Sequence, residues 1–127
     1  MTRRSIYSGS RFEELAGYAR AVVDGDFIFI SGTSGGDPKT GVFPESAEEQ
    51  ARNALTVIGN TLAGADAGFE HVVSVRVYLA DRADVMAVSK LLGATFADPR
   101  PTNTTIICGF PVEEIKVELE MVALRRR

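Results

Sequence analysis

From residue 114 to 123 apolar and charged side chains alternate: Ile115, Val117, Leu119 and Met121 fall on one side of an extended chain, Lys116, Glu118 and Glu120 on the other. That period fits a strand with one face against a core and the other turned away from it. The residues before it fix how this region is entered. Pro99 and Pro101 hold their preceding residues extended, so Asn103 reaches the β-branched run Thr104-Thr105-Ile106-Ile107-Cys108 on a stiff arm. A polar side chain delivered in that way is a site candidate. Glu118 and Glu120 share the charged face, which reads first as a solvated outer surface of a two-layer domain and second as a place for chemistry.

The rest of the chain supplies partners for this strand. Residues 1–15 read as a loop or short edge strand anchored, with Tyr18 just beyond, by Tyr7 and Phe12. Two β-prone runs, 19–23 and 27–31, flank Asp24-Gly25, a hairpin signal. The second run is apolar at consecutive positions and is predicted to be buried on both faces. Residues 34–41 are dense in turn formers but lack the glycine and lysine spacing of a nucleotide cradle. Ser46-Ala47-Glu48-Glu49 is a capping box. It opens a helix whose stripe is Ala51, Ala54, Leu55, Ile58 and Leu62, with Gly59 marking a close approach and residues 64–68 ending it. Residues 72–79 form a further strand with Val73, Val75, Val77 and Leu79 on one side. Asp81 or Asp84 then caps a second helix, striped by Val85, Val88, Leu92 and Phe96 and stopping near Asp98-Pro99.

This order predicts a single α+β domain over residues 1–127, a mixed sheet of about six strands with two helices packed on one face. The other face is left bare although it carries apolar residues, which predicts a closed homo-oligomer with clefts between copies as ligand sites. A net charge of -3 argues against a nucleic-acid partner. One cysteine excludes an intrachain disulfide, and one histidine leaves no cluster for zinc. Cys108 reads as a buried small hydrophobe and His71 as a surface histidine. No run approaches the roughly 18 apolar residues of a membrane span, and the N-terminus lacks a signal peptide's apolar segment, so the expected location is cytoplasmic.

Four segments carry a resemblance: Gly17-Tyr18 through Val23-Asp24-Gly25 to Ile30-Ser31-Gly32; Asp37-Pro38-Lys39-Thr40-Gly41; Val75-Arg76-Val77-Tyr78-Leu79-Ala80-Asp81; and Arg100-Pro101-Thr102-Asn103-Thr104-Thr105 with Lys116-Val117-Glu118-Leu119-Glu120. In matching order they resemble the Rid proteins (reactive intermediate deaminases, YjgF-type), a family also labelled endoribonuclease L-PSP. The resemblance implies a chorismate-mutase-like fold assembled as a homotrimer with three clefts. It also implies hydrolysis of an imine or enamine to a carbonyl compound and ammonia, with no metal or cofactor. Carried over by position, Glu120 orients the attacking water, Tyr18 closes the pocket, Ser31, Gly32 and Thr33 line its floor, and Ser89 and Ile107 complete the ligand positions. The family's carboxylate-binding arginine falls on Asn103. An amide lacks the charge and the two-pronged geometry that suit a carboxylate, so a group uncharged at that end is the expected guest. Arg20, Arg76 and Arg100 are the other cations considered, and they read as surface or subunit-contact residues. A non-catalytic ligand-binding or regulatory trimer is the alternative, and ribonuclease activity is argued against by the acidic balance and the lone histidine.

Overall fold

The computed structural model describes residues 3–125. Its six strands are β1 (Arg4–Ile6), β2 (Ala21–Asp24), β3 (Phe27–Ser34), β4 (Val72–Leu79), β5 (Thr102–Ile107) and β6 (Val117–Leu124). They form one sheet in the order β1-β2-β3-β6-β4-β5. Every neighbouring pair is antiparallel except β4 with β5, which are joined through a helix. The helices are α1 (Arg11–Ala16), α2 (Ala47–Ala63) and α3 (Val85–Thr95). The mixed α+β sheet and its helical layer follow the sequence expectation.

The core lies between the sheet and α2 with α3. Ala51, Ala54, Ile58 and Leu62 of α2, and Val88 and Leu92 of α3, are buried on the face that also buries Val75, Val77, Leu119 and Met121. Ser46 caps α2 by accepting the Glu49 N–H at 3.0 Å, one half of the capping box. A side chain at Gly59 would meet the Phe69 ring at 3.4 Å. Phe69 packs edge-on against Phe96 with ring centroids 5.8 Å apart, which anchors the end of α3 to the end of α2.

Five local expectations change. The N-terminal segment holds a helix, α1, because Ser10 accepts the Phe12 N–H and Gly17, at φ 74, ends the turn; Met1 and Thr2 lie outside the described residues. The hairpin loop is Gly25-Asp26, with Gly25 at φ 62 and Asp24 already paired to Phe27. Within the chain β3 is buried on one face only: Ile28 and Ile30 point inward while Phe27 and Phe29 are 46% and 47% exposed. In β4 the pairing slips between Val72 and Ser74, which turns Val72 inward and Val73 outward. At the sheet edge β5 is exposed along its whole length, and Cys108 just beyond it is half-buried, since this strand has one neighbour. Among the described residues no helix is long and apolar enough to cross a membrane.

Candidate functional site

The face of the sheet that carries no helix collects the charged residues. In β6 the inward residues Val117, Leu119 and Met121 alternate with Glu118 and Glu120. Arg76 of β4 stands directly opposite Glu120, and Tyr78 directly opposite Glu118. The Tyr78 hydroxyl donates diagonally to Glu120 Oε1 at 2.7 Å. That bond, followed by desolvation, pushes the phenol above its ordinary value, so it remains a donor at neutral pH.

Glu118 has a different setting. The pairing of β3 with β6 slips between Ile30 and Thr33, and Gly32 lies in this bulge. A Cβ at Gly32 would collide with the Glu118 carboxylate, so the absent side chain is the space that carboxylate occupies. Burial pushes the Glu118 carboxyl above the usual range; the Arg20 charge pulls it back, and Glu120 adds to the rise. The folded chain therefore holds this proton more tightly than the unfolded one. Stability is lost as pH rises from the unfolded carboxyl's value through the folded one. Glu118→Gln should accordingly be more stable than the native chain at pH 7, by less than about 1 kcal/mol after solvent screening. The advantage should close below about pH 4. Urea denaturation at the two pH values measures it; an advantage that widens on acidification would contradict the assignment.

Tyr18 and Ser31 meet on the same open face, where they line a hollow of about 590 Å³ with Glu13 and Tyr7. Thr33, in contrast, is 1% exposed, and its hydroxyl is shared between the Ser31 carbonyl and Arg20. Arg20 is a core residue rather than a surface one: it is 8% exposed and paired with buried Glu13.

Asn103 sits on the other side of the sheet. It is the register partner of inward-facing Val75, whereas Thr104 pairs with Arg76 on the open face. With Ser89, Leu92, Phe96 and Arg100 it lines a second hollow of about 280 Å³ between α3 and the β5 edge. The Thr105 hydroxyl donates to Asn103 Oδ1 at 2.9 Å. This orients the amide and leaves its Nδ2 donors for a ligand. Ile107 follows on the same face as Asn103, 40% exposed beside its register partner Leu79. Of the three arginines considered, Arg100 alone shares the Asn103 hollow, and Arg76 lies across the sheet beside Glu120.

The sequence-predicted residues thus form two half-sites on opposite faces of one sheet. One holds Tyr18, Ser31, Gly32 and Glu120, with Glu118 beside them; the other holds Asn103 and Ser89, while Ile107 lies farther along the same face of β5, outside that hollow. Sequence reasoning passed over Glu118 as a site residue in its own right, and the signal available was the pairing of a Ser-Gly bulge with a strand of alternating glutamates.

Comparison with known proteins agrees with this architecture. The family model described as Endoribonuclease L-PSP matches residues 8–125. A "2-iminobutanoate/2-iminopropanoate deaminase" of Capra hircus is 32% identical over 126 residues, covering 98% of this chain and 92% of that protein. "Reactive Intermediate Deaminase A, chloroplastic" of Arabidopsis thaliana is 32% identical over 111 residues, covering 86% of this chain and 59% of that longer protein. Among solved structures, Rv2704 of Mycobacterium tuberculosis, described as a member of the YjgF/YER057c/UK114 family, superposes with a TM-score of 0.88 at 29% identity, covering 97% of this chain and 99% of its own. The family match runs from α1 through β6 and takes in both faces on which the half-sites lie, and the chain belongs to the endoribonuclease L-PSP family, the YjgF or Rid proteins.

Proposed function

We propose that this chain hydrolyses a small imine, enamine or related carbonyl-derived compound in clefts between the copies of a homotrimer. The observation that carries the reading is the pair of unlike carboxylates on the open face: Glu118 half-buried over Gly32, and Glu120 fixed by the Tyr78 hydroxyl. Imine hydrolysis consumes water and releases ammonia, so it needs one group to take a proton from water and one to protonate the nitrogen. Two carboxyl groups in different environments divide that work. Glu120 orients and deprotonates the water that adds to the C=N carbon. Glu118, with its raised proton affinity, protonates the departing nitrogen. Tyr18 forms the wall and Ser31 with Gly32 the floor. The deaminase-named relatives at about 30% identity support the reaction class.

The two half-sites meet in such an assembly only if the β5 edge of one copy faces the open face of the next, which is the arrangement the trimer reading requires. Asn103 and Ser89 then contribute from the neighbouring copy. The amide offers N–H donors without a positive charge, which suits a carbonyl or amide oxygen or an uncharged imine better than the carboxylate of a standard 2-imino acid. Hydrogen bonds to charged groups contribute about 1.5–3 kcal/mol each, so supplying two with Asn103→Arg should raise capture of an acidic imine by about two to four powers of ten. Semicarbazide competition during hydrolysis of 2-iminopropionate, beside the imine of the neutral amide, measures the difference. A native chain that already handles the acid as fast as Asn103→Arg would refute the neutral-guest reading; an Arg100→Gln arm of that assay would then show whether the neighbouring guanidinium supplies the charge.

The ribonuclease label of the family finds little support in this chain. Its single histidine lies in a 3₁₀ turn where Nδ1 accepts the Gly68 N–H at 3.0 Å, away from both half-sites.

A further inference from the structure

Arg20 joins several segments of the open-face half-site. It immediately precedes β2, and its side chain is 9% exposed. Its guanidinium donates to the Gly32 carbonyl at 3.3 Å and to Thr33 Oγ1 at 3.2 Å. The same group lies 5.6 Å from the centre of the Tyr18 ring, within cation–π range. Its Nε is 3.5 Å from Glu13 Oε2, close enough for an ion pair but without hydrogen-bond geometry. Glu13, with a side chain 2% exposed, is held in turn by the Ser8 N–H at 2.9 Å and by the Ser8 hydroxyl.

Fold stability alone is a weak account of this arrangement. Desolvating two charges offsets most of what their attraction returns, and an apolar pair of similar volume would stabilise the chain about as well. Gly32 points to another role, because Arg20 grips its carbonyl while the Glu118 carboxylate fills the space of its missing side chain. We propose that Arg20 is a positioning residue for Glu118: one guanidinium clamps the bulge on which that carboxylate rests and supports the Tyr18 ring, keeping floor, wall and proton-transfer group in register. The proposal rests on the role given to Glu118 above and deepens it.

The other groups around Glu118 do not substitute for this cation. From β4, Tyr78 faces it while Arg76 stands opposite Glu120. From β3, its register partner is Ser34. On its own side of β6, Glu120 carries a like charge, and Lys116, two residues earlier, turns its ammonium to the Glu45 carbonyl. Arg20 therefore also opposes the rise that burial imposes on the Glu118 carboxyl. Removing the guanidinium leaves burial and the Glu120 charge unopposed, so the proton should be held to higher pH.

A carboxyl-carbon NMR titration of the full chain, with labelled glutamate and Glu118→Gln to assign the resonance, reads this without any turnover. Failure here and failure of the hydrolase reading are therefore distinguishable. Arg20→Gln should raise the Glu118 midpoint by about one pH unit. Arg20→Lys, which keeps the charge and loses the fork, should restore most of the difference. Glu13→Gln should move the midpoint down, because Arg20 then lacks its compensating anion. An unchanged midpoint in folded Arg20→Gln overturns the proposal. Should that variant not fold, Glu13→Gln decides: a lowered midpoint supports the proposal, and an unchanged or raised one overturns it.

Discussion

Replacing Gln50 with leucine is expected to destabilise the protein by about 3–5 kcal/mol, a large part of the roughly 5–15 kcal/mol that holds a domain of this size together. The side chain is fully buried on the sheet-facing side of α2. Its amide nitrogen donates to the Pro44 carbonyl at 2.8 Å and the Glu114 carbonyl at 3.0 Å, and its Oε1 accepts the Lys116 N–H at 2.9 Å. One amide thus satisfies three backbone groups that no strand or helix pairs. Leucine fills nearly the same volume, so the cavity contribution is small and the loss comes from stranding those groups, at about 1–3 kcal/mol each less what water recovers. Gln50→Glu retains the acceptor but sets a carboxylate against two carbonyls, and should do no better. Chemical denaturation measures the change, and a loss below about 1 kcal/mol would show that water replaces the amide freely. Function should suffer too, because Lys116 is two residues before Glu118 and the clamp on its N–H fixes how β6 begins.

Gln50 also marks what a sequence discloses and what it leaves hidden. It stands on the apolar stripe between Ala47 and Ala54, and a polar residue on such a stripe announces a buried hydrogen-bonding task without saying which loops it serves. The helical stripes, the alternation in β6 and the delivery of Asn103 to the start of a β-branched strand were all legible, because each is a local period or a proline constraint. The sharing of one face by Glu118 and Glu120 followed from that period alone. Register was not legible. The slip at Val72 exchanges Val72 for Val73, and the parallel pairing of Val75 with Asn103 places Asn103 across the sheet from Glu120. Both depend on how distant strands align, which no single strand encodes. The Glu13–Arg20 pair was hidden for a related reason: one residue belongs to a short helix and the other precedes a strand, so no common period links them. Consecutive apolar residues, as in the run from 27 to 31, look the same whether the second face is covered within the chain or left open, so the exposure of Phe27 and Phe29 in the single chain was not legible either.

Glu118→Gln should reduce imine turnover by about two to four powers of ten, the range associated with losing a positioned proton-transfer group. The amide preserves the volume that fits the Gly32 gap and the hydrogen-bonding edge, so the structure should persist while the ability to give up a proton is lost. Glu120→Gln isolates the other role. Its Oε1 accepts the Tyr78 hydroxyl, and a glutamine oxygen can accept the same bond; that variant keeps a site for orienting water and loses only the capacity to take its proton. The pair should therefore separate in pH dependence as well as in rate. With Glu120→Gln, residual turnover should still decline on the alkaline side as Glu118 loses its proton, at a pH above the ordinary carboxyl range because burial holds that proton. With Glu118→Gln that alkaline limb should vanish. Initial rates over pH 4–9 with a neutral imine, following the released ammonia, distinguish the two. If Glu118→Gln retained native rates while Glu120→Gln lost them, proton transfer would belong to Glu120 alone, and the half-buried carboxylate over Gly32 would be a structural feature of the bulge.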